Sequence, residues 1–440
     1  MKRIKKNKNK KIIKVSLIIL IIIGITFITY KIVFNHKKEN KINIEIIIEE
    51  LLTKVDDQTI DKDFLMWIND NYGTDNLLNL NDTLDKYVYK KELWHDITGN
   101  SYLVLKDLYL NKYKDMTNVK VLDNKKENTL SFVGDVSLAD NWYIMPKYDE
   151  RGKGIYGILS EDIVKIMTDS DIMVANSEFT VSDRGEKMPN KYYTFRASPS
   201  RLPIYNEMGV DLLTLANNHV YDFGKTAFYD MLDSLNEYKI PYIGAGKNIE
   251  EAMRPYYFII GGYKIAFVNA TRAEKYILTP GATESEGGVF RCYDPTNLVN
   301  LIKSTKEESD YVITLIHWGK EDSHNLEDVQ LTTSKMYIDA GSDMIIGSHA
   351  HVLQGIEFYN NKPIIYNLGD FIFNDETKDT GIFQVKIIDN KFEYYFIPAL
   401  EKDEYTSLLE DGEKQRVIDN LNSWSINATI DELGQIKSTN

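Results

Sequence analysis

Gly347-Ser348-His349-Ala350-His351 follows the apolar run Met344, Ile345, Ile346, and is one of five polar clusters that close such runs. Two imidazoles at i and i+2 beyond a strand end can point into one cavity, where neutral nitrogens ligate divalent transition metals. The other four clusters are Gly134-Asp135, Asn176-Ser177-Glu178, Asn217-Asn218-His219 and His317-Trp318-Gly319. Singly, each has an ordinary explanation: Gly-Asp makes turns, Asn-Asn-His caps, and a lone His is mostly structural. Together they supply a strand-end carboxylate (Asp135), a carboxylate able to bridge (Glu178), an amide oxygen (Asn218) and three imidazoles (His317, His349, His351). That set suffices for two adjacent divalent ions, which about 3.5–4 Å apart can hold a bridging hydroxide and neutralise a phosphoryl oxygen. His219, directly after Asn218, is better placed as general acid for a leaving group than as another ligand. Asp222, three residues on, either orients His219 or caps the helix that follows.

These residues need strand ends to hold them, and from Thr129 the chain has the texture to provide them. Short apolar runs at 130–133, 172–175, 212–216, 257–260, 264–268, 311–316, 344–346, 363–366 and 382–388 alternate with amphipathic helical stretches at 158–167, 225–235 and 328–340, the last closed by Gly341. Strand–helix alternation predicts an α/β fold, in which ligands gather beyond the C-terminal ends of the strands. Before it, from about Asn40 to Lys126, Ile46, Ile47, Leu51 and Leu52, then Phe64, Trp67 and Ile68, recur at helical spacing and predict a small helical stalk or cap. His95 in that region reads as a packing or surface residue. After Asp403 the polar tail predicts a short helix around Val417, Leu421 and Trp424.

The 440 residues carry a formal charge of -14, which repels phosphate backbones and argues against nucleic acid as a partner. The charge is uneven: seven Lys and Arg residues between Lys2 and Lys11 precede an apolar run from Ile12 to Phe34. As a helix rising about 1.5 Å per residue that run covers roughly 34 Å, enough for a hydrocarbon core of about 30 Å. The first alanine is Ala139, so the small-residue pattern of a cleavage site is missing and an uncleaved anchor is expected. The basic cluster then stays cytoplasmic and the remainder faces outward. The single cysteine, Cys292, excludes an internal disulfide and reads as a buried small hydrophobe. The expected organisation is a basic tail (1–11), a transmembrane helix (12–34), a helical stalk (35–128), an α/β domain (129–402) and a C-terminal tail (403–440).

The ordered set Gly134-Asp135, Asn176-x-Glu178, Asn218-His219-x-x-Asp222-x-Gly224, His317-Trp318-Gly319-x-Glu321, Gly347-x-His349-x-His351-Val352 and Asn367-Leu368-Gly369-Asp370-Phe371 resembles the bacterial capsule-synthesis CapA family, associated with poly-γ-glutamate. The resemblance runs from about Thr129 to Pro398. It implies a four-layer α/β/β/α sandwich similar to the calcineurin-like metallophosphatases, with two facing mixed sheets and helices outside. It further implies two divalent ions (Mn, Zn or Fe), an anionic surface polymer as ligand, and membrane-bound synthase or export subunits as partners. Metallophosphatases generally open with Asp-x-His, whereas Asp135 is followed by Val136 and Ser137; members commonly carry Asn where Asp370 stands and Pro where Ala350 stands. Arg196, in the family-like stretch Tyr192 to Pro199, is the expected cation for an anionic substrate group, and Glu321 a second substrate contact. Lys320 and Arg272 are weaker candidates of that kind, and His324 reads as solvent-exposed or substrate-contacting. Three functions fit: a metal-dependent hydrolase or transferase of polymer synthesis, a non-catalytic polymer-binding accessory subunit, and a secreted nucleotidase or phosphoesterase.

Overall fold

Apolar residues at helical spacing build the first of two units, which ends at Leu93. The computed structural model describes residues 43–274 and 278–440, so the expected span at 12–34 lies outside the described residues. Helices Ile44–Lys54, Lys62–Tyr72 and Thr74–Leu84 bury Ile47, Ile48 and Leu51 with Phe64, Leu65, Ile68, Leu77 and Leu80. Asn43 and Asp61 cap the first two by accepting from the Glu45 and Phe64 amides. The buried stripe is one residue out of the expected phase, since Ile46 is 62% exposed and Ile48 takes its place. The described residues include no helix long and apolar enough to cross a membrane.

The second unit runs from Trp94 to Asn440 and so takes in residues 94–128 as well. There the helix Tyr102–Tyr109 is tied to the sheet by a buried Lys264–Asp107 ion pair at 2.7 Å. The strands that carry chemistry are, in chain order, β1 (Glu127–Val136), β2 (Ile172–Ser177), β3 (Leu212–Thr214), β4 (Tyr263–Thr271), β5 (Tyr311–Trp318), β6 (Met344–His349) and β7 (Asp370–Ile372), followed by β8 (Lys378–Ile388) and β9 (Lys391–Lys402). Among the described residues β9, β8, β1, β2 and β3 are consecutive in a ten-stranded sheet, and β4, β5 and β6 in a seven-stranded one. β1, β2 and β3 are mutually parallel, as are β4, β5 and β6, while β8 runs antiparallel to β1.

Alternation along the strands explains why they read as unbroken apolar runs. Leu130, Phe132, Ile172, Val174, Leu212, Leu315 and Ile346 face a core shared by the two sheets. Their sequence neighbours point the other way: Met173, Ala175 and Leu213 pack under helices Glu161–Asp169 and Gly224–Glu237, and Val312, Ile316 and Ile345 under Thr296–Glu307 and Asp328–Asp339. Strands buried on both faces have no polar side to show. The tail forms the helix Asp411–Trp424, whose Val417, Ile418 and Leu421 join the inter-sheet core, and then adds two strands to the larger sheet. His95 is a packing residue, stacked on Tyr263 at 4.1 Å with Nε2 2.8 Å from the Gly261 carbonyl. Cys292 is buried and free.

Candidate metal centre

Two glycines let the strand ends crowd together. A Cβ on Gly134 would stand 1.9 Å from the Gly369 carbonyl oxygen, and one on Gly347 1.9 Å from that of Tyr366. Their absence lets the Asp135 amide donate to Gly369 O at 3.0 Å, which sets β7 beside β1 with Asp370 opposite Asp135. Elsewhere the register puts Asp135 beside Asn176, His317 beside Ser348 and Trp318 beside His349. His349 and His351 hold φ values of 95° and 56°, a region side-chain-bearing residues rarely adopt and one that concentrates at functional sites.

The result is one buried cluster of six of the expected donors. The Nε2 atoms of His317, His219 and His351 lie 3.5, 3.9 and 3.9 Å from a single oxygen, Glu178 Oε1, which is buried without a hydrogen-bond partner. Asn218 Oδ1 is 2.7 Å from His317 Nε2, and His351 Nδ1 is 3.4 Å from Asp135 Oδ2. The His349 ring stacks obliquely on His317 at 4.5 Å, its amide donates to Asp135 Oδ2 at 3.0 Å, and its buried Nδ1 is unpartnered. Three overlapping trios (Glu178, His349 and His351; Asp135, His351 and Asp370; Asp135, Glu178 and His317) have ligand atoms within 4.8 Å of one another and could hold a metal ion.

The electrostatics fit a cation. Burial, then the Glu178 charge, pushes Asp135 up to about 8, and burial raises Glu178 as well. Burial holds His317 down to about 3 and His349 well below its ordinary value, which keeps both imidazoles in the neutral, ligating form. Burial also opposes the charge on His351, but the Asp370, Glu178 and Asp135 carboxylates outweigh it and raise this group well above its ordinary value. A divalent ion amid these carboxylates would relieve their mutual repulsion.

His219 and Asp222 are joined. His219 Nδ1 is 2.8 Å from Asp222 Oδ2, which also accepts from the Phe195 amide at 2.7 Å. The following helix begins at Gly224 without a side-chain cap, so of the two expected roles for Asp222 it is orientation that the geometry displays. His219 and His351 line a cleft of about 240 Å³ together with Trp142, Tyr193, Phe195 and Phe373; Glu321, Asp322, Asp375, Glu376 and Lys378 are also in its lining.

Arg196 is not brought to this cleft. Along an extended segment side chains alternate, so Tyr193 and Phe195 face inward while Arg196 turns away to lie over the Phe223 ring at 4.2 Å. Glu321 does reach the mouth, with Oε1 4.0 Å from His349 Nε2. Arg272 lies over Tyr293, and His324 stacks on Trp424 with Nδ1 2.7 Å from the Leu353 carbonyl.

Sequence reasoning left three contributors without roles. Asn176 is the hub: its amide nitrogen donates to Asp135 Oδ1 at 2.8 Å and Glu178 Oε2 at 3.0 Å, while its oxygen accepts from Thr214 and Asn217. Asp370 sits 2.7 Å from His351 Nδ1 and is buttressed by Asn374. Lys191, an unremarkable lysine in the sequence, is buried against Asp222. The signal for Asn176 was its place in the Asn-x-Glu motif, and for Asp370 its place two residues after Leu368 at a strand start. Ser137, two residues after Asp135, is buried with an unpartnered hydroxyl.

The model of the family described as "Bacterial capsule synthesis protein PGA_cap" matches residues 129–375, more than half of the chain. Among curated relatives, "Capsule biosynthesis protein CapA" of Bacillus anthracis is 28% identical over 284 residues, 62% of this chain and 66% of that protein. "PGA biosynthesis protein CapA" of Bacillus subtilis (strain 168) is 27% identical over 295 residues, 66% and 76% of the respective lengths. A "Probable polyglutamine synthesis accessory protein" of Mycobacterium tuberculosis is 28% identical over 213 residues, 47% of this chain and 56% of that protein. The matches thus span just under two thirds of the first of these relatives and a little over half of the third. The matched stretch contains all six expected metal donors, and the chain belongs to the bacterial capsule synthesis PGA_cap family.

Proposed function

We propose that this chain acts in synthesis, export or attachment of an anionic surface polymer of the poly-γ-glutamate type, through a divalent-metal centre held by Asp135, Glu178, Asn218, His317, His349 and His351. The printed names of the relatives support the polymer, and the observation that carries the centre is the convergence of His317 Nε2 and His351 Nε2 on the unpartnered, buried Glu178 Oε1, with Asn218 Oδ1 2.7 Å from His317 Nε2. Two facing sheets with helices outside and donors beyond parallel strand ends fit a calcineurin-like metallophosphatase, so we place the site in that class. The basic tail and apolar run at 1–34 support a single-pass anchor, with the second unit on the outer face of the membrane.

Ions held there would supply Lewis acidity and charge neutralisation for hydrolysis or transfer at a phosphoester or amide bond. The protein's own part is to aim and to move a proton. Asp222 holds Nδ1 of His219, which leaves Nε2 facing the cleft to protonate a leaving group while the carboxylate stabilises the imidazolium. Trp142, Tyr193, Phe195 and Phe373 give the cleft an aromatic side, and Asp370 orients His351 as an outer partner orients a ligating imidazole. Both pairs are rigidly backed.

A second reading, polymer binding without bond cleavage, draws on Ser137 in place of an imidazole. Elemental analysis and a phosphodiester assay on the purified full chain separate the two. Bound Mn, Zn or Fe with turnover supports the catalytic reading, and metal without turnover the accessory one. No metal after reconstitution overturns both.

A further inference from the structure

Lys191 is almost wholly buried, and its ammonium serves several segments at once. Nζ lies 2.8 Å from Asp222 Oδ1 and 3.0 Å from Glu274 Oε1. It also donates to the main-chain carbonyl of Asn218, and Thr279 Oγ1, 3.4 Å away, donates to that same carbonyl at 2.8 Å. Burying an ammonium is costly unless it is paired and its protons are used, so what marks Lys191 is where its partners lead rather than the pairing itself. Lys264 is the contrasting case, buried against Asp107 and touching none of the six donors.

The Lys191 contacts lead into the metal centre by two routes. The first is the Asn218 main chain, from which the side-chain amide reaches His317 Nε2 at 2.7 Å. The second is Asp222, whose other oxygen holds His219 Nδ1. We infer that Lys191 is the positioning residue for the Asn218–His219 pair: one ammonium fixes both the backbone that aims the amide oxygen and the carboxylate that aims the imidazole. The inference rests on the metal-centre reading above. It makes Lys191 an outer partner of the centre, for which substitutions elsewhere cost metal affinity rather than only stability.

The test compares Lys191→Met with Lys264→Met in the full chain, using Mn(II) titration and the visible spectrum of the Co(II)-loaded protein. Lys191→Met should bind Mn(II) about 10–100-fold more weakly and shift the Co(II) bands. Lys264→Met should melt lower with affinity and bands unchanged. Should Lys191→Met fail to fold, Lys191→Met with Glu274→Gln removes one buried carboxylate along with the cation and carries the same comparison. A folded Lys191 variant with wild-type affinity and bands overturns the inference while leaving the metal centre standing. A wild-type chain that takes up neither Mn nor Zn overturns the centre itself and this inference with it.

Discussion

His219 and His349 are assigned different jobs in the proposed centre, which makes them the sharpest test at the scale of single residues. His349→Ala should lower metal content and abolish any turnover, whereas His219→Ala should keep its metal and slow turnover by about 10²–10⁴-fold, most on poor leaving groups. Identical phenotypes would merge the two roles. Asp135 supplies a second test through pH. Raised to about 8, it carries a proton at neutral pH that ligation must displace, while His317, held to about 3, has none to lose. Metal affinity should therefore climb about tenfold per pH unit, or more, between pH 6.5 and 8, with proton release measurable by calorimetry in buffers of different ionisation enthalpy. The linkage sign agrees: a carboxyl raised from 3.8 stabilises the metal-free fold at low pH, and that contribution is lost as pH rises through about 8. Lowered from 6.5, His317 works the other way, but only below that value; above it the raised Asp135 and the raised His351, whose signs agree, decide. The melting temperature gained with metal should be larger at pH 8 than at 6.5, and an equal gain at both would refute the assignment. Residue type and spacing singled out, before any coordinates, the six side chains that the fold brings together, because candidate ligand chemistry is written in side chains. Arg196 misled because its direction depends on the alternation of an extended segment, and Lys191 was invisible because its partners come from segments 31 and 83 residues away.

At the scale of elements the centre depends on how closely β7 approaches β1. Gly134→Ala would drive a Cβ into the Gly369 carbonyl, which has no flexible end to give way. The expected cost is about 1–3 kcal/mol in urea unfolding, with lost metal, since Asp135 and Asp370 are carried by the two strands forced apart. Gly412→Ala, in the helix Asp411–Trp424 with open space around it, is the control and should be neutral or slightly stabilising. Equal effects at both sites would refute the close-approach argument. The strands that carry the donors and the helices near 158–167, 225–235 and 328–340 were readable from period and apolar runs, whereas the helix Thr296–Glu307 and the strand Lys391–Lys402 were not singled out. Which strands pair was not readable, because β1 and β8 are joined across some 250 residues and no local pattern encodes a partner that far away. The phase of the first helix was missed for a smaller reason: with Ile at 46, 47 and 48 the apolar face can be drawn one residue either way.

For the whole molecule the proposed polyanion poses a question of charge, because the chain itself carries -14. The mouth makes it harder, since Glu321, Asp322, Asp375 and Glu376 are in its lining and Lys378 is committed to Asp322 and Glu376 at 2.7 and 3.0 Å. Among the described residues lining the cleft no surface lysine or arginine is left free to attract carboxylates, so in the proposed function ions in the centre would be the attractive element. Topology is tested first. If the basic tail and apolar run anchor the chain with its second unit outside, protease added to protoplasts should remove that unit, and protection would refute the orientation. Binding of the proposed polymer is tested next. Full-length protein in nanodiscs should bind a short γ-glutamate oligomer when loaded with Mn(II) and lose it on chelation. His349→Ala should behave like the chelated protein, and His219→Ala, with its metal kept, should still bind. Equal binding before and after chelation would mean that the polymer docks elsewhere, and the acidic cleft would then have to be reserved for another group of the reaction.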